Sequence, residues 1–146
     1  MLGNAVEKAA LYGHKDMVTL LLEKGANLDK GHVVEAAARR GDKDILTLVL
    51  EKGADVNKGN AVREAAIRRR KDIVTILLEK GADGNLVEEA VIWGGHKDIV
   101  ALLLEKGADV NKGNPLEAAA ERGCKEIVTL LLEKGADVNK ANPAKQ

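Results

Sequence analysis

The chain has 146 residues, room for one domain, and its apolar content comes almost wholly from Ala, Val, Leu and Ile, with no Phe, one Trp and one Tyr. Its 23 basic and 23 acidic residues cancel, which removes any overall field toward nucleic acid or an anionic membrane. A lone cysteine, Cys124, excludes an internal disulfide, no stretch approaches the ~18 apolar residues of a membrane span, and the start MLGNAVEKAA lacks the basic-then-apolar order of a signal peptide, so a soluble cytoplasmic protein is expected.

One stretch, LEKGADVNKGN, occurs at residues 50–60 and again at 104–114, and close copies end the other blocks of the chain. Its glycines are Gly25, Gly53, Gly81, Gly107 and Gly135, spaced by 28, 28, 26 and 28 residues. A unit reused five times is read as a stack of repeats. The first repeat covers residues 3–30. Asn4 is placed to cap a short helix from Ala5 that carries Val6, Ala9 and Ala10 on one face, and Gly13 ends it. A second helix follows from Lys15, with apolar residues at 17, 18, 20, 21 and 22. That stripe is too wide for a helix with one neighbour, so it is expected to be covered on more than one side. Gly25 then supplies a left-handed stop before a tight connector.

The second repeat, residues 31–58, keeps this order, with His32 in place of the capping Asn. The third, 59–83, replaces the turn glycine by Arg69 inside the run Arg68, Arg69, Arg70, Lys71. If that position is left-handed, as its counterparts suggest, the side chain costs roughly 1–2 kcal/mol. The fourth, 84–112, loses three connector residues and gains one in its inner turn, Gly94-Gly95. The fifth, 113–140, returns to pattern with Pro115 at the first helical position that proline favours. The five repeats form one expected domain, 1–140, with residues 141–146 read as an unstructured tail.

NPLEAAAERGCKEIVTLLLEKGADVN and AVEKAALYGHKDMVTLLLEKGAN resemble the ankyrin repeat, with its TPLHxAAxxGHxxVVxLLLxxGADVN pattern, and the resemblance covers essentially the whole chain. It implies an all-α, ankyrin-like α-solenoid of five helix-turn-helix repeats. An ankyrin unit has about 33 residues; the five missing here fall where the family builds β-hairpin fingers, so tight turns without β structure are expected. The histidine of TPLH is replaced by Glu7, Glu35, Arg63, Glu88 and Glu117, so its inter-repeat bonding must be made another way or lost.

Catalysis has little support. Nucleophilic triads need a Ser, Cys or Thr beside a base, yet Ser is absent and Thr19, Thr47, Thr75 and Thr129 all occupy one mid-helix position. His14, Asp42, Arg70, His96 and Cys124 form one column, one per repeat and interrupted by Arg70, which does not make a metal site. No catalytic residue, metal or cofactor is expected. Recognition fares better, because the resemblance puts the two residues before the turn glycine on the concave face where partners bind. They are Leu11 and Tyr12, Arg39 and Arg40, Ile67 and Arg68, Ile92 and Trp93, Glu121 and Arg122. Tyr, Arg and Trp dominate interface hot spots, and both aromatic residues of the chain fall in one column. A protein or peptide partner, acidic and with an apolar anchor, is therefore expected, with neither nucleic acid nor membrane. The same arginines also sit i to i+4 from Glu35 and Glu64, the spacing of ordinary surface pairs. A structural array joined end to end, through terminal repeats that lack polar caps, is the alternative; the uncapped ends equally fit a fragment of a longer array, and the near-identity of the repeats also fits a consensus-derived sequence.

Overall fold

A computed structural model describes residues 5–139; Asn4 and the tail lie outside the described residues. Ten helices follow in pairs: α1 (Ala5–Leu11) and α2 (Lys15–Glu23), α3 (Val33–Arg40) and α4 (Lys43–Glu51), α5 (Ala61–Ile67) and α6 (Lys71–Glu79), α7 (Leu86–Trp93) and α8 (Lys97–Glu105), α9 (Pro115–Glu121) and α10 (Lys125–Glu133). Among the described residues there is no strand, as the missing finger residues predict. The chain divides between Ala82 and Asp83 into two compact units, α1–α6 and α7–α10.

In the first unit α1, α3 and α5 pack side by side, and each also packs on its own second helix. The first helices approach closely because their contact face is alanine: Ala9, Ala10, Ala37, Ala38, Ala65 and Ala66 are all buried. The second helices supply the bulk of the core. Ile45, Leu46 and Val49 of α4 and Ile73, Val74 and Leu77 of α6 are wholly buried, each contributing about 1.5–3 kcal/mol of apolar burial. The expectation of cover on more than one side holds for α2 as for α4 and α6, but the cover of α2 is incomplete. There Val18 is buried while Met17 and Leu20 are both 51% exposed. The reason is positional: α2 packs against α1 and α4, and no other described helix packs on its remaining side. In the second unit α7 packs on α8 and α9, and α10 on α8 and α9, around Val87, Val91, Ile99, Leu103 and Leu131.

The joints between repeats replace the family histidine with a carboxylate. Glu7 Oε1 accepts the His32 N–H at 2.6 Å, Glu35 Oε1 the Asn60 N–H at 2.7 Å, and in the second unit Glu88 Oε2 the Asn114 N–H at 3.3 Å. A glycine beside Glu35 and another beside Glu88 make room. A Cβ on Gly59 would lie 2.9 Å from Glu35 Oε1, and one on Gly113 would lie 2.6 Å from Glu88 Oε1; both residues also have positive φ, 84° and 76°. The asparagines read as side-chain caps do not act as such. His32, Asn60, Asn85 and Asn114 make no side-chain cap bond. Their ψ angles, 47–64°, leave the extended region that aims a capping oxygen at the first turn. Asp42, extended at ψ 103°, does accept from Ile45 N at 3.0 Å.

The connectors are closed by their own side chains. Asp55 accepts from Asn57 N, Asp109 from Asn111 N and Asp137 from Asn139 N, each at 2.8–2.9 Å. Asn111 also reaches the next connector, its Oδ1 accepting the Asp137 N–H at 3.0 Å. The mid-helix threonines are structural as well: Thr19, Thr75 and Thr129 donate to the carbonyl four residues back.

Candidate protein-interaction surface

A small helix end with the chain turning straight into the next helix exposes whatever precedes the turn. In the first unit that edge carries Tyr12, 60% exposed, and Ile67, 38% exposed, while Leu11 is half-buried. In the second unit it carries Ile92 and Trp93, 39% and 47% exposed. Both aromatic residues of a chain with no Phe thus lie partly exposed at the surface, where each offers a large, stiff, amphipathic face.

The arginines of the same column divide into two kinds. Arg39 and Arg68 converge on one carboxylate: Arg68 Nη1 lies 2.5 Å from Glu64 Oε1 and Arg39 Nε lies 3.7 Å from it. The Glu64–Arg68 pair is the i to i+4 pair expected for the third repeat; Arg39 reaches the neighbouring repeat. Arg40 and Arg122 instead fold back over the preceding turn. The Arg40 guanidinium occupies the space that a Cβ on Gly13 would need, 2.8 Å away, and Arg122 stands 3.0 Å from the equivalent point on Gly95 while donating from Nη1 to the Ile92 carbonyl at 2.8 Å. The turn glycine therefore does double service, allowing positive φ and giving the guanidinium a flat seat.

In the third repeat the seat is taken by a residue that sequence reasoning passed over. Arg70, two positions further along, lays its guanidinium over Gly41. Arg68 is held by Glu64 and Arg69 occupies the left-handed turn at φ 53°, the one non-glycine residue with positive φ among those described. A signal existed: Arg70 stands where the other repeats have His, Asp or Cys.

Unit by unit, the surface differs in charge. Up to Ala82 the chain has 15 basic residues against 12 acidic, and from Asp83 onward 8 against 11. In the first unit Arg39, Arg40, Arg68 and Arg69 are exposed beside Tyr12 and Ile67. In the second, Ile92, Glu121 and Arg122 line an open cleft of about 380 Å³ with Glu88 and Glu117.

The family model described as ankyrin repeats (3 copies) matches residues 7–88 and 89–142. The chain belongs to the ankyrin repeat family. Its structure is similar to the crystal structure of the human ASB11 ankyrin repeat domain, with a TM-score of 0.79 and 26% identity over 99% of this chain and 77% of that one. No curated protein matches it. Ankyrin repeats are in general protein-interaction modules and typically non-enzymatic, and no described helix is long and apolar enough to cross a membrane. Within the ankyrin family this chain is a short-repeat form, with carboxylates at the joints where the TPLH histidine is absent.

Proposed function

We propose that this chain is a non-catalytic binding module that holds a protein or peptide partner along the ends of its first helices. The observation that carries the reading is the exposure of Tyr12, Ile67, Ile92 and Trp93 at matching places in their repeats. An apolar core built without aromatics had every use for them inside, and each exposed ring or branched chain gains on burial by a partner. The partner for the first unit is acidic as well as apolar. Its edge presents Arg39, Arg40, Arg68 and Arg69 with Glu64 as the carboxylate that partly offsets them, so complementary charge steers encounter and an apolar anchor holds it.

The test is capture from a lysate of the source cells with the wild type and with a triple variant, Tyr12→Ala, Ile67→Ala and Trp93→Ala. None of the three is buried, so the variant should keep its helical circular dichroism and its unfolding midpoint. A protein retained by the wild type and lost by the folded variant supports the reading. Equal retention by both would sink it. Arg40 and Arg122 are left intact, because each packs on a neighbouring turn and its loss would confuse binding with folding.

A further inference from the structure

Two arginines of the first unit are held in place by a turn and matched by no acid. The Arg40 guanidinium lies flat over Gly13, with Nε, Cζ and Nη2 all 2.8–2.9 Å from the point that a Cβ would occupy, and the Arg70 guanidinium lies over Gly41 in the same manner. Among the described residues neither makes an ion pair, whereas Arg39 and Arg68 share the Glu64 carboxylate. Arg40 is exposed; Arg70 is half-buried, and its Nε is buried with no hydrogen-bond partner. A guanidinium carries its N–H donors around the edge of a rigid plane. Seating on a turn uses the face of that plane and leaves the edge, so both groups are fixed in position with donors still to spend. Binding ordinarily pays entropy to order such a side chain; here the turn has already ordered it.

Together the two define a spacing. Each guanidinium sits on the turn glycine of the repeat before its own, so the step between them is the step between neighbouring first helices. α1, α3 and α5 pack side by side through alanine, and packed helices lie about 8–10 Å apart. A polyproline-II segment has three residues per turn and rises about 3.1 Å per residue, so side chains three positions apart share a face and stand about 9 Å apart. A β-extended segment repeats a face every second residue, about 7 Å, which falls short of the step. An α-helix approaches it only with side chains seven positions apart, about 10 Å, and its carbonyls are spent internally. An extended segment keeps its carbonyls for the N–H groups that a carboxylate does not take up.

We propose that the first unit binds an acidic segment in polyproline-II conformation, with carboxylates three residues apart, one on Arg40 and the next on Arg70. This rests on the partner-binding reading and names the kind of segment that the first unit takes. Arg39 and Arg68, partly neutralised by Glu64, add attraction at a distance rather than the two seats themselves.

The experiment is a magnetic-resonance titration of the isotope-labelled full chain with proline-rich peptides whose ends are capped to remove terminal charge. The peptides share one composition and carry two glutamates one, two or three positions apart; an alanine-based helical peptide with glutamates seven apart is the fourth probe. The amide signals of Gly13 and Gly41 report the two seats separately. With the three-apart peptide both signals are expected to shift together, at an affinity at least about fivefold above the other probes, because the second carboxylate then binds as an intramolecular step. Arg40→Gln should silence the response at Gly13 and Arg70→Gln that at Gly41, and either should bring the favoured peptide down to the level of the rest. Circular dichroism checks that both variants fold; where one does not, Arg40→Lys or Arg70→Lys replaces it, keeping the charge, losing the flat fork and with it the spacing preference. Four results overturn the proposal: no shift at either glycine with any peptide, equal affinity for all spacings, a preference for glutamates one, two or seven apart, and a three-apart preference that survives in the folded variants. Capture from the lysate turns on Tyr12, Ile67 and Trp93 instead, so failure here with capture intact removes the acidic segment and leaves the partner-binding edge.

Discussion

Arg69 is held at φ 53° where the other repeats have glycine, and the left-handed conformation costs an L residue roughly 1–2 kcal/mol. Gly41 and Gly95 show what the turn wants, with φ of 83° and 68°. Arg69→Gly is therefore expected to stabilise the protein by about 1 kcal/mol, part of the relief being lost to the greater freedom of glycine in the unfolded chain. Urea titration of wild type and variant checks this, and an unchanged or lower midpoint would remove the strain argument. The sequence announced this residue by a broken pattern. It marked Arg70 as an odd letter in its column but not the reach of that side chain over Gly41, which shows only when two turns 29 residues apart are brought together, nor did it announce the asparagine caps that fail, since a cap residue type says nothing of its own ψ angle.

At the scale of the helix, one sequence pattern gives two outcomes. KDMVTLLLE in α2 and KDIVTILLE in α6 have nearly the same apolar spacing, yet α6 buries Ile73, Val74 and Leu77 while α2 buries Val18 and leaves Met17 half in water. Spacing reports that a helix has a face; the neighbours decide whether the face is used. The expected energetics follow. Leu77→Ala should cost roughly 2–5 kcal/mol, as a large-to-small change at a wholly buried site, and Met17→Ala less than about 0.5 kcal/mol in a dilute monomer, as a surface change. Urea titrations at low protein concentration read both. Equal losses would mean that Met17 is covered after all. The glutamate joints lie between these cases of legibility. The loss of the TPLH histidine was visible, and so was the glutamate in its place, but the acceptor's target is a backbone N–H some 25 residues away, which no residue letter records.

For the molecule as a whole, five repeats and, among the described residues, ten helices without a β finger could be read from one recurring stretch, because each repeat must solve the same packing problem with the same letters. The division between Ala82 and Asp83 was signalled only by the shortened connector. Contacts gathered within units imply that damage stays local. Leu103→Ala, at a wholly buried site of α8, is expected to lower hydrogen-exchange protection across α7–α10 more than across α1–α4. Exchange followed by mass spectrometry on peptides from the two units tests it, and an equal loss in both would show a single cooperative block.

The carboxylate joint also bears on how such a chain can lengthen. In each of the three joints the glutamate belongs to one repeat and the N–H that it receives to the next. A gene duplication that copies a 28-residue block therefore brings an acceptor at one border and a donor at the other, and the new boundary arrives already bonded, with no compensating substitution. The third block, with Arg63 where the others have glutamate, is the exception: copied in tandem, it would carry the donor and not the acceptor. Growth by copying is thus open to some repeats of this array and handicapped in another, a bias in heredity that follows from where one oxygen finds its hydrogen.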